Sequence, residues 1–246
     1  MATWLREAIP AADRPLPALS QVIDGLFDSV DGLDTPGATV LVAPGAEVLY
    51  EGAFGSADVG WGQPMTVDTR LRIGSITKQF TAAAILRLAQ SGHLDVQDTL
   101  SRFYPDYPRG DEITIHHLLT HTSGIPSYTS FPDFSQKAPQ GTTPEDLIAR
   151  FRDAALEFEP GTAWSYNNSA YFLLGELVAK VSGQPFSEYL TDTFFEPLGM
   201  TQTAIHDSQT VIEKEARGYS YEEGLLKVAL DWDMSNAGGA GALYST

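Results

Sequence analysis

The sequence predicts an α/β fold of the α+β kind, because one helix and a β-hairpin are followed by a long middle built only of helices. Three observations carry that reading. Apolar residues recur at helical spacing from Leu19 to Val30, two β runs flank Pro44-Gly45, and from Ser75 to about residue 204 the apolar period stays helical.

The first helix places Leu19, Val22, Ile23, Leu26, Phe27 and Val30 on one stripe. "GATVLVAPGAEVLYEGAFG" is then a hairpin, Thr39–Phe54, turning at Pro44-Gly45. A helix starting at Ser75 buries Ile76, Phe80, Ala83, Ala84 and Leu88 and stops near Gly92. "ITIHHLLTHTSG" is a short helix ending at Gly124, and a loop rich in Pro, Ser and aromatics runs from Ile125 to about Gly141. Thr143-Pro-Glu-Asp has the cap, the first-turn Pro and the acids of a helix start. "SAYFLLGELVAKVSG" is a strongly apolar helix closed by Gly183, and "PFSEYLTDTFFEPLG" is another. A strand is expected near Tyr219–Tyr221, before the Gly-rich "NAGGAGALYST". No internal repeat or low-complexity linker interrupts this order.

With 246 residues and 43% hydrophobic content, the chain suits one sizeable domain or two lobes sharing a core. It has no Cys, so disulfides are excluded. A formal net charge of −17 and a pI near 4.5 argue against nucleic acid or an anionic membrane as partner. No apolar window is long enough to span a bilayer, and the N-terminus lacks the continuous apolar core of a signal peptide, which makes a soluble location the default expectation.

The chemistry starts at "RIGSITKQF". A helix start favours an acid or amide three residues after a Ser cap, yet Lys78 stands there, a cation at the positive end of the helix dipole. Ser75 and Lys78, three apart on a helix, lie on one face. Burial and the dipole both disfavour the ammonium form, and a neutral amine beside a hydroxyl is a base beside a nucleophile. The same dipole and the free N–H groups of the first turn favour an anion forming at Ser75. Further on, "WSYNNSAYF" puts Tyr166 and Asn168 just before an apolar helix. A phenol can shuttle a proton beside a cation, and an amide can orient a carbonyl; the plainer reading is a half-buried Tyr and a capping Asn.

"GSITKQFTAAAILRLAQSGHLDVQDTLSRFYP", "ITIHHLLTHTSGI", "FEPGTAWSYNNSAYFLLGELVAKVSGQPF", "FFEPLGMTQT" and "GGAGALYST" together resemble the serine β-lactamase and penicillin-binding-protein superfamily. The similarity runs from about Thr35 to Thr246 and points to the branch of class C β-lactamases, D-Ala-D-Ala carboxypeptidases, D-aminopeptidases and β-lactamase-like esterases. It implies an antiparallel sheet flanked by helices plus an all-helical lobe, with residues 1–74 and 205–246 in the α/β lobe and 75–204 forming the nucleophile helix and helical lobe. It implies Ser75 as acyl-forming nucleophile, Lys78 as its base and Tyr166 as shared proton carrier. Asn168 would hold Lys78 or the substrate amide, and the Ser75 N–H would form half of an oxyanion hole.

The family also carries a Lys-Thr-Gly or His-x-Gly strand after the Gly-rich segment. Here no Lys-Thr-Gly exists, and the only late histidine, His206, is followed by Asp-Ser-Gln. The expectation is therefore a chain lacking C-terminal strands, its hairpin edge open, completed by more of the same product, a second chain or a swapped copy.

No cofactor is implied. His117 and His121 stand one turn apart, but Leu118 occupies the place of a metalloprotease Glu and no third ligand is evident. The acids Glu222, Glu223, Asp231 and Asp233 lack EF-hand spacing, and no phosphate loop occurs. The reading is a serine hydrolase acting by acyl transfer on the amide or ester of a small molecule or peptide. Its rival is a non-catalytic or truncated binding module.

Overall fold

The computed structural model describes residues 18–30 and 32–246, and the chain divides into two compact units, 1–67 and 68–246. In the first, α1 (Leu19–Phe27) runs into a 3-10 turn at Asp28–Val30. Phe27 stacks on Phe54 with ring centroids 4.5 Å apart, fixing α1 against the hairpin. The hairpin strands β1 (Ala38–Val42) and β2 (Tyr50–Phe54) are antiparallel, with Val42 opposite Tyr50 and Ala38 opposite Phe54. Gly45, at φ +80°, supplies the backbone that this turn requires. Among the described residues β1 and β2 pair only with each other, and Leu41, Val48 and Leu49 are exposed. A short bulged pair, β3 (Ser56–Asp58) with β4 (Gln63–Pro64), completes the unit.

The second unit begins with β5 (Leu71–Arg72) and α2 (Thr77–Gln90), joined by a 3-10 turn at Gly74–Ile76. Then come α3 (Ile115–Leu119), α4 (Phe134–Lys137), α5 (Pro144–Arg152), α6 (Asn168–Ser182) and α7 (Phe186–Leu190), the last continuing into a π turn at Thr191–Phe195. Strands β6 (Ala204–Ile205), β7 (Tyr219–Glu222), β8 (Leu225–Val228) and β9 (Leu243–Ser245) close the described chain.

Helix α6 is the hub. It is buried from Ser169 to Gly175 and again at Leu177 and Val178, and it packs against α2, α3, α5, α7 and the turn Gly238–Ala240. A helix this apolar, its charges confined to Glu176 and Lys180 one turn apart, packs into the middle. Gly175 permits a close approach: a Cβ there would stand 3.0 Å from the Gly239 backbone. Antiparallel pairing of β9 with both β5 and β6 sets Tyr244 opposite Arg72 and Ala204. The residue before the Gly74–Ile76 turn and the residues after the Gly-rich segment are thus clamped in one small sheet.

Several expectations need correction. Helix α3 ends at Leu119, five residues before Gly124, because His121 itself adopts φ +61° and reverses the chain. Gly124 does take a positive φ of 74°, where a Cβ would overlap the Phe158 carbonyl oxygen, but it serves the next turn. The loop 125–141 contains a 3-10 turn at Tyr128–Ser130 and the helix α4. Ile76 is exposed, and the buried face of α2 is Thr77, Lys78, Thr81, Ala84, Ile85 and Leu88. The strand at Tyr219 has a partner, β8, across a tight Glu223-Gly224 turn with φ of 53° and 78°.

Candidate active site

Ser75 is not the cap its position suggests. It lies inside the 3-10 turn, neither that turn nor α2 has a side-chain cap, and its hydroxyl is exposed and engaged elsewhere. The Tyr166 hydroxyl donates to Ser75 Oγ at 2.6 Å, and Lys78 Nζ lies 3.2 Å from the same oxygen. Two other contacts fix the amine: Asn168 Oδ1 and the Ala240 carbonyl oxygen each accept from Nζ at 2.7 Å. Both are pure acceptors. In a neutral amine they take its two N–H groups, and the lone pair is left facing Ser75 Oγ.

Lys78 is only 7% exposed, with Nζ 4.7 Å from the centre of the Tyr166 ring and 5.5 Å from that of Tyr171. Burial pushes its pKa below the ordinary lysine value, opposed by the pull of the Tyr166 hydroxyl. Among the described residues no carboxylate accepts from Nζ, so none of its partners there demands a full positive charge.

Two adjacent asparagines divide the work at the start of α6. Asn167 is the cap, accepting from the Ala170 N–H at 2.7 Å and donating to the Ile125 carbonyl. Asn168, the first helical residue, gives Oδ1 to Lys78 and donates from Nδ2 to Thr129 Oγ1 at 2.9 Å. The fold brings Ser75, Lys78, Tyr166 and Asn168 into one cluster; helical spacing pairs the first two, and the family resemblance implied the other two beside them.

Other contributors were not foreseen. Thr81 donates to the Gly239 carbonyl at 2.7 Å, and Thr77 Oγ1 accepts from the Leu243 N–H at 3.0 Å, so two threonines dock the Gly-rich segment on α2 and bring the Ala240 carbonyl to the amine. Their signal was present: Thr77 and Thr81 are four apart, on the face that carries Lys78. The two histidines weighed as a metal pair are engaged separately. His117 Nδ1 accepts from the Thr114 N–H within a capping box, whereas the His121 ring lies 4.7 Å from Tyr166 and 5.0 Å from Tyr171. His206 is buried in an ion cluster, with Nε2 2.9 Å from Glu215 and 3.1 Å from Arg72.

Comparison with known proteins bears on family and fold. The family described as Beta-lactamase matches residues 23–246. Penicillin-binding protein 4* of Bacillus subtilis (strain 168) is 31% identical over 202 residues, which cover 80% of this chain and 45% of that protein. D-amino acid amidase from Ochrobactrum anthropi SV3, solved with L-phenylalanine, has a TM-score of 0.80 at 30% identity over 93% of this chain and 68% of that one. The octameric penicillin-binding protein homologue from Pyrococcus abyssi has a TM-score of 0.77 at 32% identity, covering 92% of this chain and 52% of that one. The chain spans about half the length of the curated relatives it matches.

Proposed function

Since the chain belongs to the Beta-lactamase family, with the α/β fold of the serine β-lactamase and penicillin-binding-protein superfamily, we propose that it is a serine hydrolase that forms an acyl-enzyme at Ser75. The observation that carries this reading is the meeting of Lys78 Nζ and the Tyr166 hydroxyl at one oxygen, with the other valences of the amine already taken.

In the first half-reaction the neutral Lys78 amine takes the Ser75 proton as Oγ attacks an ester or amide carbonyl, forming the Oγ–C bond. Negative charge on the carbonyl oxygen is met by the Ser75 N–H, which lies in the first turn ahead of the helical hydrogen-bond ladder. As the C–N or C–O bond breaks, Tyr166 gives its proton to the departing amine or alkoxide and is resupplied from Lys78. In the second half-reaction water enters along the same path, loses a proton to the Lys78–Tyr166 pair, and releases the acid as Oγ recovers its proton.

Asn168 serves in this scheme by holding Lys78, with one Nδ2–H left over for a substrate amide. The amide and ester substrates expected here fit relatives named as an amino acid amidase and penicillin-binding proteins, and which of them is processed is a matter for assay.

The test is intact mass after incubation with a fluorophosphonate and, separately, a penicillin, followed by peptide mapping. The expected result is a single adduct on Ser75, absent in Ser75→Ala. An adduct elsewhere overturns the assignment, and no adduct at all leaves the non-catalytic binding module as the better reading.

A further inference from the structure

Tyr166 precedes α6 on a loop that has no regular structure, and yet its hydroxyl must stay within hydrogen-bond reach of Ser75. Something has to hold it. Both peptide N–H groups flanking Tyr166 are bound by one residue: the Ser165 N–H donates to the His121 carbonyl at 3.0 Å, and the Asn167 N–H donates to His121 Nδ1 at 3.1 Å. The His121 ring contacts the phenol it brackets, with centroids 4.7 Å apart and planes tilted by 37°. It meets Tyr171 at 5.0 Å and the same tilt, and Tyr171 is itself tied to the α3 end by donation to the Leu119 carbonyl at 3.0 Å.

We propose that His121 is the positioning residue of Tyr166, gripping the chain on both sides of it and backing its ring so that the phenol points at Ser75 Oγ. This rests on the role given to Tyr166 above. A single residue can make both grips only because its backbone is left-handed, at φ +61°, a conformation in which histidine is uncommon but more readily accommodated than bulky or β-branched residues.

The grip also fixes the ring's chemistry. Nδ1 accepts a peptide N–H, so the single proton of the neutral ring sits on Nε2. A second proton would occupy Nδ1 and end that hydrogen bond. The titratable groups facing the ring are Lys78 from α2, Tyr166 from the loop and Tyr171 from α6. Burial holds the imidazole below its usual pKa, with Lys78 adding to this whenever it is protonated, and keeps Nδ1 open as an acceptor.

Three forms of the protein decide this: wild type, His121→Gly and His121→Asn. Glycine accepts φ +61° without strain and keeps the carbonyl grip, but removes Nδ1 and the ring. Asparagine tolerates the left-handed backbone and restores an acceptor at the δ position. Amide hydrogen exchange at Asn167 reads the grip directly, and acylation by a slow activated ester reads its consequence.

We expect Asn167 exchange to rise about tenfold or more in His121→Gly, with the saturating acylation rate falling by ~10–100-fold, as misplacement by about 1 Å can cost, and half-saturation nearly unchanged. His121→Asn should recover the exchange protection and most of the rate. Unchanged Asn167 exchange in His121→Gly, or no recovery in His121→Asn at equal thermal stability, overturns the proposal. A wild-type protein that is never acylated defeats the hydrolase reading instead, while the exchange data alone still uphold or overturn the grip.

Discussion

Replacing Lys78 by methionine separates what the amine does for the reaction from what it does for the fold. The amine satisfies two acceptors, Asn168 Oδ1 and the Ala240 carbonyl, which methionine leaves bare. Each unsatisfied buried acceptor costs about 1–3 kcal/mol. An opposing effect is present in the same residue. Its folded pKa is depressed by burial, so below the unfolded value near 10.4 the unfolded chain holds the proton more tightly, and Lys78 destabilises the fold increasingly as pH falls through that window. Methionine removes this burden at neutral pH. The two effects oppose each other, so the melting temperature should fall by less than two bare acceptors alone would cost. The chemical step has no such offset: loss of the general base costs about 10²–10⁴ in acylation rate, or about 3–5 kcal/mol in barrier.

Stopped-flow acylation with an activated ester, alongside thermal unfolding, measures both. In the wild type the acylation rate should fall as pH drops through the lowered Lys78 pKa, where the amine gains the proton that blocks its lone pair. The same acid limb should vanish from the residual rate of Lys78→Met. A Lys78→Met protein that acylates within a few-fold of wild type would falsify the base assignment.

The remaining predictions concern neighbouring parts. Tyr166→Phe keeps the ring over Lys78 but loses the hydrogen bond to Ser75, and should lower acylation by about 10²-fold in the same assay with little change in melting. Gly239→Ala places a Cβ 2.7 Å from the Tyr171 carbonyl oxygen and 2.9 Å from Gly175 Cα, both backbone atoms of α6. The segment must lift, taking the Ala240 carbonyl from Lys78, so acylation should drop by roughly tenfold or more and the melting temperature should fall with it. Thr143→Ala removes the cap of α5, which accepts from the Asp146 N–H at 3.1 Å, and should lower stability by about 1 kcal/mol and melting by about 2–4 °C, leaving acylation intact.

Much of this was legible in the chain. The Thr143 cap, Pro144, Gly183 at φ +74° and the strands around Gly45 follow from local rules, because each answers a constraint within a few residues. What escaped was set by distant partners. Counting apolar residues put Ile76 on the buried face of α2, whereas the structure buries Thr77, Lys78 and Thr81 there because the Gly-rich segment meets them with carbonyls and an N–H. The end of α3 was missed for a similar reason. Histidine is a poor signal for a left-handed residue, and its reward, the two peptide N–H groups beside Tyr166, lies some 45 positions away.

The site also shows why Lys78 is tolerated at the positive end of a helix. A lysine there would ordinarily lose favourable dipole energy of about 0.3–1 kcal/mol and gain nothing. Here the start of α6 supplies the compensation. Asn167 satisfies the helix end and the Ile125 carbonyl, which frees the next residue from capping. One step on, about 100° around the axis, Asn168 points at α2 instead and accepts from Nζ. The Ala240 carbonyl provides the second acceptor because β9 is pinned beside β5. Two neutral oxygens suffice to hold an amine, and neither is charged enough to insist on an ammonium. A carboxylate in place of either would favour the charged form and take the lone pair from Ser75. The neutrality of those two acceptors is what would leave the amine free for the base role proposed for it.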